Sequence, residues 1–270
     1  MTVEYSSDYT IPELETCFLA REIENGEEAL VGAALPIPRA ACMLAHITHA
    51  PDLRLGISYT FANMLNIPQM PTIKSEVDFH QTIWAESYYR DEDLLMETKW
   101  WVKRRRFYIG AIQIDRYGNS NLIGVGHNYK KLKFRGPGGI GTPTISANAK
   151  FFYILVNSHS KRIFVEKCDY ISSVGWGEGG ADGRKKLGLP GGGLKYVLTP
   201  LCIMDFEENT KRMRLKSVHR GVSVQDVIDN TAFELILPAE VPMTEPPTTE
   251  ELEVLRNRVD PEGFLRAYKA

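Results

Sequence analysis

An α/β fold follows from the order in which helix and strand signals alternate along the 270 residues. A capped helix precedes a short apolar run, and a second helix and second run follow at once. Further strand signals then recur between clusters of turn residues. The length suits a single domain over residues 1–270, able to bury a core without disulfide staples.

The first helix starts at Thr10, with Pro12 in the first turn and Glu13 three residues after the cap, as in a capping box. Leu14, Cys17, Phe18 and Ile23 recur at helical spacing, and Gly26 ends the pattern. Ala29-Leu30-Val31-Gly32-Ala33-Ala34 reads as a buried parallel strand. Pro36 and Pro38 lead into a helix over 39–48, and Leu53-Arg54-Leu55-Gly56-Ile57-Ser58 is the next strand candidate. Residues 60–100 are irregular and carry Trp84, Tyr88, Tyr89, Trp100 and Trp101. They read as a packed excursion over one sheet edge in preference to a wall of an acyl pocket.

Strands are expected over 107–114, 121–125, 151–156 and 162–165, with turn chemistry at Asp115-Arg116-Tyr117-Gly118-Asn119. The nine glycines of 175–193 mark a long loop. The stretches 196–206 and 213–218 flank Glu207-Glu208-Asn209-Thr210-Lys211 as a hairpin. Ser223 caps a short helix to Asp229, and Thr248 or Thr249 caps a last helix ending before Pro261.

Composition excludes several classes. The chain is 43% apolar and 24% charged with a formal net charge of −2, which gives no general drive toward nucleic acid or anionic membranes. No apolar run approaches the ~20 residues of a membrane span, and the first residues carry no signal-peptide pattern, so a cytoplasmic protein is expected. Cys17, Cys42, Cys168 and Cys202 show no CxxC spacing and read as buried thiols. The six histidines lack an HExxH pattern or a cysteine cluster, and no catalytic metal is expected. Lys103-Arg104-Arg105-Arg106 reads as a solvated lead into a strand, with a contact to a ligand phosphate as the alternative.

Gly136-Pro137-Gly138-Gly139-Ile140-Gly141 matches G-x-G-x-x-G. Dinucleotide binding needs that motif between a strand and a helix. Here a basic stretch precedes it and no helix pattern opens after it. Its glycines can instead bring backbone N–H groups close to a thioester oxygen.

Several ordered segments resemble the B-type chain of glutaconate CoA-transferase, a family I CoA-transferase. They are Ala50-Pro51-Asp52, Gly110 to Asn119, Phe134 to Gly139, Lys167-Cys168-Asp169-Tyr170, Gly175-Trp176, Lys186 to Gly191, Asp226 to Thr231 and Val259-Asp260-Pro261. The resemblance implies an open, mainly parallel sheet with helices on both faces, and an A-type partner subunit with the active site near the interface. It implies coenzyme A as part of the substrate, with no other cofactor. Gly138 and Gly139 are expected to donate to the thioester oxygen and Gln113 to act in catalysis. Tyr59, Asp115, Gly136 and Gly141 are expected to line the substrate, Asp115 having a plain turn-forming role as its alternative.

The departure from the family falls at its nucleophile. The resemblance implies a glutamate at the end of the strand after Ala50-Pro51-Asp52, and that position holds Ser58. No acidic residue lies between Asp52 and Glu76. A carboxylate is a nucleophile at neutral pH, whereas a serine hydroxyl needs an adjacent base. Relatives without the glutamate include ring-opening hydrolases and a decarboxylase acting on acyl-CoA. Hydrolytic C–C cleavage is therefore the expected reaction, with Ser58 positioning substrate or water. CoA transfer is the first alternative and decarboxylation the second.

Overall fold

In the computed structural model, which describes residues 3–32, 34–57, 60–63, 87–88, 104–139 and 141–268, three helices start at capping boxes. Thr10 with Glu13 opens α1 (Ile11–Arg21), Ser223 with Asp226 opens α5 (Val224–Asp229), and Thr248 with Glu251 opens α6 (Thr249–Val254). Each satisfies orphan N–H groups at a helix start. Helix α2 (Pro36–Thr48) begins three residues earlier than the sequence suggests. Proline is at home in a first turn, where its missing N–H costs nothing. The described residues fall into two units, one taking residues up to 97 with 104–108 and 245 onward, the other taking 109–244. No described helix is long and apolar enough to cross a membrane.

In the first unit the strand order is β5 (Arg105–Gly110), β1 (Glu28–Val31), β2 (Arg54–Ile57), β3 (Thr60–Asn63) and β4 (Ser87–Tyr88). The pairs β5–β1 and β1–β2 are parallel, and the outer two pairs are antiparallel. Helix α1 packs on α2, whose residues Pro36 to His46 are all buried. The C-terminal segment is tied to α1 by charge: Arg256 donates to Glu13 at 2.7 Å and Arg21 to Glu251 at 2.6 Å. Of the aromatic stretch 60–100, Tyr88 lies in β4, while Trp84, Tyr89, Trp100 and Trp101 lie outside the described residues.

Of the basic run, Arg104 is exposed as expected and Lys103 lies outside the described residues, but Arg105 and Arg106 are buried. Register sets Glu28 opposite Arg54 on one side and Arg105 on the other. Its carboxylate accepts from Arg54 Nη1 at 3.1 Å and from Arg105 Nε at 2.5 Å. Glu27 binds Arg106 in the same way. The side chains of Arg105 and Arg106 are only 4% and 1% exposed, so they are structural cations and are not available to a phosphate.

In the second unit the order is β13 (Met213–Val218), β12 (Cys202–Phe206), β11 (Leu194–Leu198) and β10 (Phe151–Leu155). The β10–β11 pair is parallel and the others are antiparallel. The expected strand over 196–206 is two strands, because Thr199 turns the chain by accepting from the N–H groups of Leu201 and Cys202. The expected 162–165 strand is reduced to one bridge, Ile114 with Phe164. The expected 107–114 strand breaks at residues 111–112 into β5 and β6 (Gln113–Ile114). At 207–211 the hairpin is closed by Glu207, which accepts from Thr210 and Asn209 and is held down to about 2 by those bonds.

The glycine-rich loop is organised by Arg184, on the short helix α4 (Gly183–Lys186), which is 4% exposed. Its guanidinium donates to the carbonyls of Gly191, Val174, Gly175, Ser146 and Ala147. All four cysteines are free and buried.

Two core histidines make the unit sensitive to acid. His159 stands between Thr199 and Thr231 at 3.0 Å each, and His219 bonds Thr244 Oγ1 and the Thr199 carbonyl. Burial pushes both imidazoles down to about 4. Unfolding returns them to their ordinary value near 6.5, so the unfolded chain binds more protons between pH 4 and 6.5. The contribution is whole above that window and is lost as pH falls through it, at about 3 kcal/mol per histidine. The urea midpoint should therefore fall between pH 7 and pH 5, and His159→Gln should flatten the decline. At fixed pH 7.5, Glu28→Gln should cost about 3 kcal/mol in urea unfolding, because Arg105 loses its carboxylate in the interior. Arg54→Ala, at the exposed end of the same ladder, should cost less than about 1 kcal/mol.

Candidate functional site

The glycine loop and its supports lie within one ribbon of the second unit. Strand β6 pairs with β7 (Ser120–Asn121), and β8 (Gly124–Val125) pairs with β9 (Phe134–Arg135). Asn121, fully buried, makes the bend between β7 and β8. Its Oδ1 accepts from Ile123 N and Gly124 N, and its Nδ2 donates to the Gly124 carbonyl and to Gln113 Oε1. Gln113 Oε1 also accepts from Asp169 N at 3.0 Å, while Gln113 Nε2 donates to Asp169 Oδ2 at 3.4 Å. Asp169 Oδ2 further accepts from Gly126 N at 2.7 Å. Gln113 is thus buried and held between Asn121 and Asp169.

The loop runs back along that bend. Gly136 N donates to the Ile123 carbonyl and Gly138 N to the Leu122 carbonyl, both at 2.9 Å. A Cβ on Gly136 would meet the Leu122 oxygen at 2.2 Å, so this position needs glycine for close approach. Gly138 has open space around it but a φ of +99°, which disfavours any side chain. Its N–H is engaged by the Leu122 carbonyl. Gly139 differs from both: a Cβ there meets nothing closer than 3.6 Å, and its N–H has no partner among the described residues.

Gly141, buried, is the N-cap of a helix the sequence did not reveal, α3 (Thr142–Asn148). No side chain caps it. Instead the Gly139 carbonyl accepts from Thr142 N at 2.8 Å and Thr142 Oγ1 at 2.6 Å. A helix therefore follows the motif, but the strand before it is the exposed, two-residue, antiparallel β9. That is not the parallel βα turn of a dinucleotide site.

Asp115 takes the plainer of its two expected roles. It accepts from Tyr117 N, Asn119 N and Asn119 Nδ2 at 2.8–3.0 Å, shaping the turn to Gly118. Both its oxygens are engaged in that turn. Burial raises its carboxyl above the ordinary value, against those hydrogen bonds. Ser58 and Tyr59 lie outside the described residues; Ser58 is the residue that follows β2 in sequence. Asn121 and Asp169 are organising residues that the sequence does not single out, although Asp169 falls within Lys167-Cys168-Asp169-Tyr170, one of the family-like segments. Among the described residues no three His, Cys, Asp or Glu side chains gather as metal ligands.

The chain is similar to known proteins along most of its length. The profile of the family described as "Coenzyme A transferase" matches residues 17–230. Identity is 36% over 254 residues to the B-type chain of 3-oxoadipate CoA-transferase from Pseudomonas knackmussii, covering 93% of each protein. It is 31% over 268 residues to the B-type chain of glutaconate CoA-transferase from Acidaminococcus fermentans, covering 96% of each. The solved glutaconate CoA-transferase of that organism superposes with a TM-score of 0.83 at 29% identity, covering 96% of this chain and 98% of that one. Identity is 28% over 255 residues to the cholesterol ring-cleaving hydrolase IpdB subunit of Rhodococcus jostii, covering 93% of each.

Proposed function

Because this chain belongs to the coenzyme A transferase family, we propose that it is the B-type subunit of an enzyme that cleaves a C–C bond of an acyl-CoA by hydrolysis, working with an A-type subunit. The observation that carries this reading is Ser58. It follows β2 directly, at the place where the resemblance implies the transferase glutamate, and no acidic residue lies between Asp52 and Glu76. Covalent transfer through a carboxylate of that segment has no carboxylate to use. The similarity to a ring-cleaving hydrolase subunit along 93% of the chain supports the same reading.

The reaction so proposed needs little of this chain beyond positioned N–H groups. Water, deprotonated by a base we assign to the partner subunit, adds to a carbonyl carbon of the acyl group. The bond from that carbon to the carbon beside the thioester breaks, and its electron pair passes into the thioester as an enolate. A proton then returns to that carbon, and CoA stays attached throughout. The negative oxygen is stabilised by fixed donors, and the Gly139 N–H has no partner among the described residues. Gly136, Gly138 and Gly141 hold the loop's course, and Ser58 orients substrate or water.

CoA transfer is the second reading, favoured by the 36% identity to a 3-oxoadipate CoA-transferase chain. Trapping separates the two. The assembled enzyme, given candidate acyl-CoAs and acceptor acids with hydroxylamine or borohydride, should yield no adduct on this chain. In heavy-oxygen water it should give a product carrying one solvent oxygen and an intact CoA thioester. A trapped carboxylate of this chain would overturn hydrolysis. Gly139→Pro, which removes the N–H, should lower kcat at least about a hundredfold. Gly139→Ala, whose Cβ has room and whose N–H remains, should keep most of the activity. Equal losses in both variants would remove Gly139 from the chemistry.

A further inference from the structure

The ribbon that carries the glycine loop has a second end, which the chemistry above does not use. Beyond Gly126 the chain turns between β8 and β9, and Tyr129, Lys130, Lys131, Lys133 and Arg135 are all exposed there. The turn is nonetheless built. Asp169 holds its base through Gly126 N at 2.7 Å, Asn128 accepts from Lys130 N and Lys131 N, and Lys133 N donates to the Val125 carbonyl. Tyr129 is 55% exposed, and its ring has two neighbours. Tyr170 meets it edge-on at 6.2 Å, and the Arg135 guanidinium lies 5.0 Å over it.

The charge at this turn is not spent on ion pairs. Arg21, Arg54, Arg105, Arg106, Arg214 and Arg256 each bind a carboxylate. Lys130, Lys131, Lys133 and Arg135 have no acidic partner among the described residues, in a chain whose net charge is −2. Four adjacent cations stand here beside an exposed aromatic ring, over which the Arg135 guanidinium already rests. Together they match a ligand that combines several phosphates with a flat base.

We propose that this hairpin holds the phosphorylated adenosine end of a CoA thioester, with the 3′-phosphate and pyrophosphate against the four cations and the adenine against Tyr129. The assignment rests on the reading that the substrate is a CoA thioester. Its geometry comes from the ribbon itself. Strand β9 runs directly into Gly136–Gly139, and at about 3.3 Å per residue the chain can set Arg135 no more than about 13 Å and Lys131 no more than about 26 Å from Gly139. An extended pantetheine arm separates the nucleotide of CoA from its thioester on that scale. One continuous segment would then meet both ends of the substrate.

The test uses the complex with its A-type subunit and calorimetric titration with CoA, dephospho-CoA and pantetheine. Wild type should bind CoA more tightly than dephospho-CoA, and dephospho-CoA more tightly than pantetheine. Lys131→Ala combined with Lys133→Ala should weaken CoA about tenfold, narrow the gap to dephospho-CoA, and leave pantetheine unchanged. Tyr129→Ala should weaken CoA and dephospho-CoA by the same factor. If the variants bind CoA as wild type does, or lose all three ligands alike, the assignment is overturned. It is also overturned if they no longer assemble with the A-type subunit, since the hairpin would then be a docking surface. A wild-type complex that binds none of the three overturns the CoA reading itself, and this inference with it.

Discussion

Glu28 stands between two arginines contributed by the strands on either side of its own, and the register of β5, β1 and β2 turns on that contact. Side chains alternate along a strand, so a slip of one residue would send the carboxylate to one face and its arginines to the other. Glu27 and Arg106 make the same check at the neighbouring position. Buried ion pairs of this kind add little net stability, because desolvation offsets most of the Coulomb attraction. What they contribute here is discrimination against the wrong pairing. The end of β2, after which Ser58 follows, is fixed in the sequence register by that ladder.

The second unit relies on a hydrogen-bonded network for the same purpose. Gln113, Asn121 and Asp169 join three stretches of chain, and Asp169 serves as a common post for β6 and for the base of the β8–β9 turn. The glycines downstream divide the labour. Gly136 permits close approach and Gly138 permits a left-handed backbone, whereas Gly139 is required for neither. Its distinction is the open N–H, a property of the backbone that residue type alone does not report.

What the sequence discloses and what it hides separate by distance along the chain. Thr10, Ser223 and Thr248 are legible as caps because each needs only a partner three residues on. The strands β1, β2, β10 and β13 are legible from their apolar or alternating runs. Arg105 and Arg106 look like surface cations because the glutamates that bury them lie 77 and 79 residues away. Asp169 looks unremarkable because its partners are 43 and 56 residues away. Helix α3 is hidden for another reason: its start is capped by the Gly139 carbonyl accepting from Thr142, with no side chain at the N-cap to announce it. The ordered family segments around 110–119 and 134–139 point to the right ribbon, but not to which of its atoms are engaged.

Arg184 carries a consequence for motion. One guanidinium gathers carbonyls from 146–147, 174–175 and 191, and no carboxylate shares the work. Five acceptors that lose their donor together cannot be released one at a time, because freeing any segment displaces the planar fork that serves the rest. Opening of the loop is therefore cooperative, a single unit in hydrogen exchange in place of a gradient of fraying. A stretch so rich in glycine would otherwise sample many conformations; this side chain, together with the backbone bonds of Gly180, Gly191 and Gly192 to Thr210, Ala147 and Ala149, narrows that range.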